Sequence, residues 1–440
     1  MKNKKWMAIL LGGIMAASLA APCSVSAAEK TTLTFWHAMG GTNGEVLQQI
    51  VDDFNASQDE IEVKAEYQGT YDDTITKLKA AMQSDSGLPD VCQMYDVGTK
   101  FMYDSGAVIP VEDKFESTGY DKSSVMEVIS SYYTVDGKQY AMPFNVSTPM
   151  LYYNKDVFEA AGLDPETPPT TYDEVLEDAK KIVDSGAAPV GYSQAIYGWF
   201  FEQQLAGLGV TYGNNDNGRK EAVTAVDFDS NGGGLKVFDM WKKLYDSGYF
   251  EDYGTTTADT QTAFFSGQVG MIIESTAILK NAVDSSPFEV GTGYLPRIEQ
   301  NDEGGVIIGG GSLWLTDTGN EANEDAGWKF IEYITTPDVQ AKWSMGTGYF
   351  AINEKAYETE DMKAYLKENP NFETAINQLK DSPVNCNTAG VLSGVQTEAR
   401  LTFNEIMPQV YDGKLTTQDA VDQLAASVNK AIENYNESIK

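Results

Sequence analysis

Residues 31–95 read TTLTFW at 31–36, GEVLQQIVDDFNAS at 44–57, IEVKAEY at 61–67, TYDDTITKLKAAM at 70–82 and DVCQMY at 90–95. Segments 31–36 and 61–67 alternate polar and apolar residues, the period of a half-buried strand, and 90–95 is a short apolar run of strand length. Between them Val46, Leu47, Ile50, Val51 and Phe54 recur at helical spacing and predict a helix over 45–58. Ile75, Leu78, Ala81 and Met82 do the same from about Asp72. Strand, helix, strand, helix, strand is the order that builds a sheet of mainly parallel strands covered by helices.

A second unit of the same class begins near Met142. Pro168 and Pro169 stop the chain ahead of Thr171-Tyr172-Asp173-Glu174, a Thr-x-x-Glu capping box. The helix it opens points Val175, Leu176, Ala179, Ile182 and Val183 inward. Further helices are expected near 233–246, through Leu235, Phe238, Trp241 and Leu244, and from Thr416, through Val421, Leu424, Val428 and Ile432. There is no tandem repeat, low-complexity tract or long linker, which argues against an adhesive stalk.

The chain has 440 residues, 65 Asp and Glu against 31 Lys and Arg, and a formal charge of −34. A hydrophobic content of 42% supplies ample core for two or three domains. The acidic excess excludes a nucleic-acid partner, since phosphate backbones are bound by surplus Lys and Arg. Lys2, Lys4 and Lys5, the apolar stretch Met7–Ala21 and the small residues Val25-Ser26-Ala27 form a secretory signal peptide over residues 1–27. Cys23 would allow a lipid anchor. Pro22, however, stands where lipoprotein recognition wants Gly or Ala, so cleavage before Ala28 is expected. The mature protein is therefore exported, to a periplasm or the outer face of the membrane. Cys92 and Cys386 are expected to remain free thiols.

Enzymatic readings find little support. His37 is the only histidine, so His-pair chemistry and His-ligated zinc are unavailable, and no Gly-x-Ser-x-Gly elbow accompanies it. Gly304–Ser312 (GGVIIGGGS) lacks the Gly-Lys-Ser/Thr ending of a phosphate loop and reads as a strand, Val306–Ile308, leaving into a glycine turn. Asp227-x-Asp229-x-Asn231-Gly232 begins like a calcium loop, but Phe238 occupies the position of its bidentate Glu. No metal or cofactor is expected. A secreted glycoside hydrolase would also combine acids and aromatics, yet with 65 acids no particular pair stands out.

Tyr152-Tyr153-Asn154-Lys155-Asp156-Val157-Phe158, Ala161-Gly162-Leu163, Pro168, Thr171-Tyr172 and Glu174 together resemble a signature of the family 1 extracellular solute-binding proteins, the capture subunits of ABC importers. Ala263-Phe264-x-x-Gly267-x-x-x-Met271 is similar to a second. Phe35–Met39, Gly69-Thr70-Tyr71, Tyr95–Thr99, Pro143–Pro149, Ile307–Trp314 and Thr347–Tyr349 resemble the family's glycerol-phosphate-binding members, so the likeness runs from about residue 31 to the C-terminus.

The resemblance implies a two-lobe α/β clamshell of the type II periplasmic-binding-protein class. Residues 28–143 with 276–335 would form one lobe, and 144–275 with 336–440 the other. It also implies a small ligand in the interlobe cleft, permease subunits as partners and a monomer without enzymatic activity. Carried over, the contacts are Tyr71, Asp96, Ser147, Ser275, Gly310, Tyr349 and Arg400. Trp36, His37, Ile196, Tyr197 and Trp199 are further possible contacts. Hydroxyls, a backbone amide and one guanidinium suit a phosphomonoester, and Asp96 suits glycerol hydroxyls. Arg400 is one of only three arginines, with Arg219 and Arg297. The family usually has Glu in place of Asp96 and Trp in place of Ile196. Those changes leave room for a larger glycerophosphodiester such as glycerophosphocholine, or for a sugar or oligosaccharide.

Overall fold

The computed structural model describes residues 30–84 and 87–439; the leader and Cys23 lie outside the described residues. Two sheets organise them. In the first, Ile61–Tyr67, Thr31–His37 and Val91–Tyr95 run parallel, and Gly309–Thr316 follows antiparallel beside Val91–Tyr95. The far edge of Gly309–Thr316 pairs with Val108–Ile109 at one end and with Met142–Ser147 at the other. The second sheet has the order Val290–Gly293, Pro149–Asn154, Val269–Ser275, Val190–Ser193.

Both sheets are mixed, which corrects the expectation of mainly parallel ones. The cause lies in how the chain crosses. Gly309–Thr316 arrives from the other lobe at the C-terminal end of Val91–Tyr95, where Gly311 faces Tyr95, and so must run against it. In the second sheet only Val269–Ser275 and Val190–Ser193 are parallel.

The expected helices form where their apolar stripes required. Tyr71–Met82 opens with a capping box between Thr70 and Asp73, Tyr172–Ser185 with one between Thr171 and Glu174, and Thr417–Ser438 with one between Thr416 and Asp419. Helix Gly41–Ser57 starts four residues before its expected position and buries Leu47, Ile50, Val51 and Phe54. Cys92 and Cys386 are free thiols, and burial pushes Cys92 up to about 12.

The lobe boundaries differ from those expected. Strand Met142–Ser147 belongs wholly to the first sheet, so the chain crosses at Thr148. Strand Val290–Gly293, placed by sequence in the first lobe, is an edge of the second sheet, and helix Asn371–Asp381 packs on it through Thr374 Oγ1 and Thr292 Oγ1 at 2.9 Å. Helix Pro337–Thr347, assigned to the second lobe, lies on helix Gly41–Ser57 of the first. Apolar faces, not chain position, decide these memberships. At the crossings Thr276 N donates to Thr148 O at 2.8 Å, and Thr148 N donates back to Thr276 Oγ1 at 3.2 Å.

The glycine-rich segment also differs. Val306–Ile308 is buried but unpaired as a strand, and the glycines themselves begin strand Gly309–Thr316. Gly310 has φ +90°, and a Cβ there would stand 1.8 Å from Asn145 O. Only glycine permits this approach between neighbouring strands.

Candidate functional site

Asp96 and Arg400 meet where the C-terminal end of strand Val91–Tyr95 faces two helices of the second lobe. Asp96 is the first residue after that strand and is buried. Opposite it, helix Gly198–Gly207 carries Glu202 and helix Gln396–Tyr411 carries Arg400. The two helices touch at Gly198, where a Cβ would fall 2.5 Å from Arg400 Cα. Any larger residue would push Arg400 away.

Arg400 is buried and engaged through Nε and Nη2. Its Nε donates to Glu202 Oε1 at 2.8 Å, and its Nη2 donates to Glu202 Oε2 at 2.7 Å and to Asp96 Oδ2 at 2.8 Å. Gln396 Nε2 adds a 2.9 Å bond to Glu202 Oε1. Arg400 Nη1 makes no hydrogen bond to any described residue. Burial works against the guanidinium charge, but the Asp96 and Glu202 carboxylates overcome it and hold Arg400 well above its ordinary range. Burial pushes Glu202 up, opposed by Arg400.

This corrects the reading of Arg400 as an uncommitted donor and of Asp96 as an acceptor waiting for hydroxyls: the two are paired with each other. Glu202 was invisible to sequence reasoning because nothing in its surroundings marks one acid among 65. The apolar run Gly198-Trp199-Phe200-Phe201 that leads into Glu202 is the one local feature of its helix.

On the first lobe, Tyr71 stacks on Tyr95 with centroids 5.0 Å apart and planes 6° apart. The Tyr71 hydroxyl accepts from Asn145 Nδ2 at 2.7 Å, and Asn145 Oδ1 accepts from Gln93 Nε2 at 2.7 Å. Tyr349 stacks on Trp343 at 5.7 Å. Burial raises both phenols, and their polar neighbours Asn145 and, for Tyr349, Tyr71 oppose the rise. Both keep their protons at neutral pH and remain donors. Tyr95 donates to Asp72 Oδ1 at 2.7 Å and contacts Thr397 Oγ1 of the second lobe at 2.7 Å.

The other expected residues are less central. Ser147 and Ser275 sit at the crossings, and Ser275 Oγ accepts from Ala277 N at 3.2 Å. Gly310 lies at the start of its strand, one residue beyond Gly309, where a Cβ would approach Trp199 to 2.8 Å. Tyr197 is 6.1 Å from Trp199, and burial raises it to about 12, with Arg400 opposing.

Three further positions are held by contacts within their own lobes. Ile196 is fully buried in the second lobe's core, its N–H bonded to Gly254 O, because an isoleucine gains more there than beside a polar ligand. Trp36 Nε1 is bound to Glu66 Oε2 at 3.0 Å on the neighbouring strand. His37 packs between Phe35 and Tyr67, its Nδ1 accepts from Met39 N at 3.3 Å, and burial lowers it to about 4. It is a neutral structural imidazole. The calcium-like segment closes on itself as a turn, with Asn231 Oδ1 accepting from Gly233 N at 2.9 Å.

Residues 49–374 match the family described as bacterial extracellular solute-binding protein. The chain belongs to the bacterial extracellular solute-binding proteins. This solute-binding protein, the capture component of an ABC transporter, is 30% identical over 417 residues to the sn-glycerol-3-phosphate-binding periplasmic protein UgpB of Escherichia coli K12, covering 93% of this chain and 94% of that one. Among solved structures it is similar to UgpB from Mycobacterium tuberculosis in complex with glycerophosphocholine, at TM-score 0.78 and 20% identity over 93% of this chain and 100% of that one. It is also similar to the cyclic α-maltosyl-1,6-maltose-binding protein of Arthrobacter globiformis, at TM-score 0.76 and 26% identity over 92% and 100%. Both likenesses extend over both lobes, so the two-lobe clamshell is the fold of this solute-binding protein. Among the described residues no helix is long and apolar enough to cross a membrane.

Proposed function

We propose that the protein captures a glycerol phosphate, as the monoester or as a phosphodiester, between its lobes and presents it to the permease of an ABC transporter. The observation that carries the reading is the position of Arg400. Its guanidinium stands at the lobe junction with Nη1 free of any described partner, and the first lobe brings the Tyr71 and Tyr349 phenols to the same junction as donors. Ser147, Ser275 and the Gly310 amide belong to the proposed contact set at the crossings. The glycerol-phosphate-binding relative in E. coli supports the ligand class. The work is conformational: a ligand that touches both lobes only when they are closed binds the closed form, and no bond is broken.

The overall negative charge does not oppose an anionic ligand at contact range. Screening acts over about 8 Å at physiological salt, so distant surface acids slow capture more than they weaken the bound state.

A second reading, a neutral sugar or oligosaccharide, is favoured by one observation: Arg400 already faces two carboxylates. Tyr197 and Trp199 would then stack on sugar faces. Titration calorimetry with glycerol 3-phosphate, glycerophosphocholine and maltotriose separates the two. Heat from either phosphate compound supports the first reading, whereas binding of maltotriose alone replaces it with the second.

A further inference from the structure

Glu202 and Arg400 sit on touching helices of the same lobe and share a two-point ion pair, so they move together. Asp96 sits on the other lobe and holds Arg400 by one bond, Nη2 to Oδ2. When the lobes part, the Asp96 bond must break while the Glu202 pair can stay. We propose that Asp96 is a built-in surrogate ligand: its carboxylate occupies Arg400 Nη2, which an anionic group gripping Nη1 and Nη2 together must win, and so holds the empty clamshell closed.

The inference rests on the reading of Arg400 as the ligand's anchor. Three features of the geometry support it. The bond is charge-assisted and crosses the lobe junction, where both side chains are buried, with exposures of 8% for Arg400 and 6% for Asp96. The guanidinium's own lobe already neutralises it through Glu202, so the Asp96 carboxylate is in electrostatic excess. One cation faces two anions, and the excess anion is the one that can leave. Finally, two contacts that join the same elements across the junction, Tyr95–Thr397 at 2.7 Å and the Trp199–Gly309 approach, are between uncharged residues.

Surrogacy fixes a specificity rule. An anionic ligand competes with Asp96, whereas a neutral polyol does not need to. Removing the charge while keeping the shape should therefore help anions and leave neutral ligands behind. If Asp96 served only as an acceptor for ligand hydroxyls, the same change would weaken every ligand.

The test is Asp96→Asn, whose amide oxygen still accepts from Nη2. Small-angle scattering of the empty variant should show an enlarged radius of gyration, and calorimetry should show glycerol 3-phosphate binding tightened by about tenfold relative to wild type. An empty variant as compact as wild type, or weaker binding of glycerol 3-phosphate, overturns the proposal. Wild type gives a second reading should the variant fold poorly: its empty form should already be as compact as after addition of 10 mM (about) glycerol 3-phosphate, and an empty wild type that is clearly more open overturns surrogacy. Failure of the function reading looks different, because wild type would then give no heat with either phosphate compound while the scattering results stand.

Discussion

Two arginines join the lobes, and they are solved in opposite ways. Arg400 is met by two side-chain carboxylates. Arg219, in a turn of the second lobe, is met by none among the described residues. Its Nε donates to Gly390 O at 3.0 Å, its Nη1 to Tyr132 O at 2.8 Å and its Nη2 to Ala389 O, while its guanidinium lies 5.1 Å from the Tyr132 ring. Tyr132 belongs to the first lobe, so this is also a crossing contact. Burial lowers Arg219 to about 10, with Tyr132 opposing, whereas its counterpart is held well above its ordinary range. A backbone carbonyl carries no net charge for an incoming anion to replace, whereas the Asp96 carboxylate on the opposite lobe does. The difference separates a fixed strut from an exchangeable contact, and it explains why the site reading attaches to Arg400. Arg219 instead forms part of the wall of a 930 Å³ cavity shared with Glu112, Lys122, Lys220 and Cys386.

Breaking Arg400 should cost most. Arg400→Ala leaves Glu202 and Asp96 buried without their cation, and chemical denaturation should show a loss of about 3–5 kcal/mol. A loss under about 1 kcal/mol would mean that the pair is not buried as described. Arg219→Ala strands no charge and removes three hydrogen bonds from one cation, so the same measurement should give about 2 kcal/mol, with the preference between glycerol 3-phosphate and maltotriose unchanged. A changed preference would erase the distinction between strut and exchangeable contact.

A further interlobe bond sharpens it. Tyr435 of helix Thr417–Ser438 donates its hydroxyl at 2.7 Å to Asp104, which is also paired with Lys100. Tyr435→Phe should cost about 1 kcal/mol and weaken all ligands by one common factor, because it alters closure and not recognition. Unequal factors would place Tyr435 in recognition. The smallest effect is expected at the exposed pair Lys414–Asp412, where Lys414→Gln should change stability by less than about 0.5 kcal/mol.

Much of the fold was legible in the chain. The capping boxes at Thr171 and Thr416 and the stripes through Leu47, Ile50 and Phe54 or Val421, Leu424 and Val428 are local signals, and each formed its helix. The membership of Val290–Gly293 and Pro337–Thr347 was not legible, because it depends on which distant apolar face is free to cover them. The site divides in the same way. Tyr71, Asp96, Gly310, Tyr349 and Arg400 stand in motifs that resemblance picks out, and resemblance also offered Ile196, Trp36 and His37, whose contacts within their own lobes no motif foretells.

The amino-acid order alone therefore determined the types of the striped and capped elements, the export leader as an expectation, the scarcity of arginine and the absence of histidine chemistry beyond His37. Those are properties of composition and short-range spacing, to which a few neighbouring residues suffice. The tertiary structure decided that Arg400 has Glu202 as its permanent partner and Asp96 as its partner from across the junction. These three residues are far apart in the chain. Charge pairing acts through space, and only folding sets which carboxylates come within reach of a buried cation.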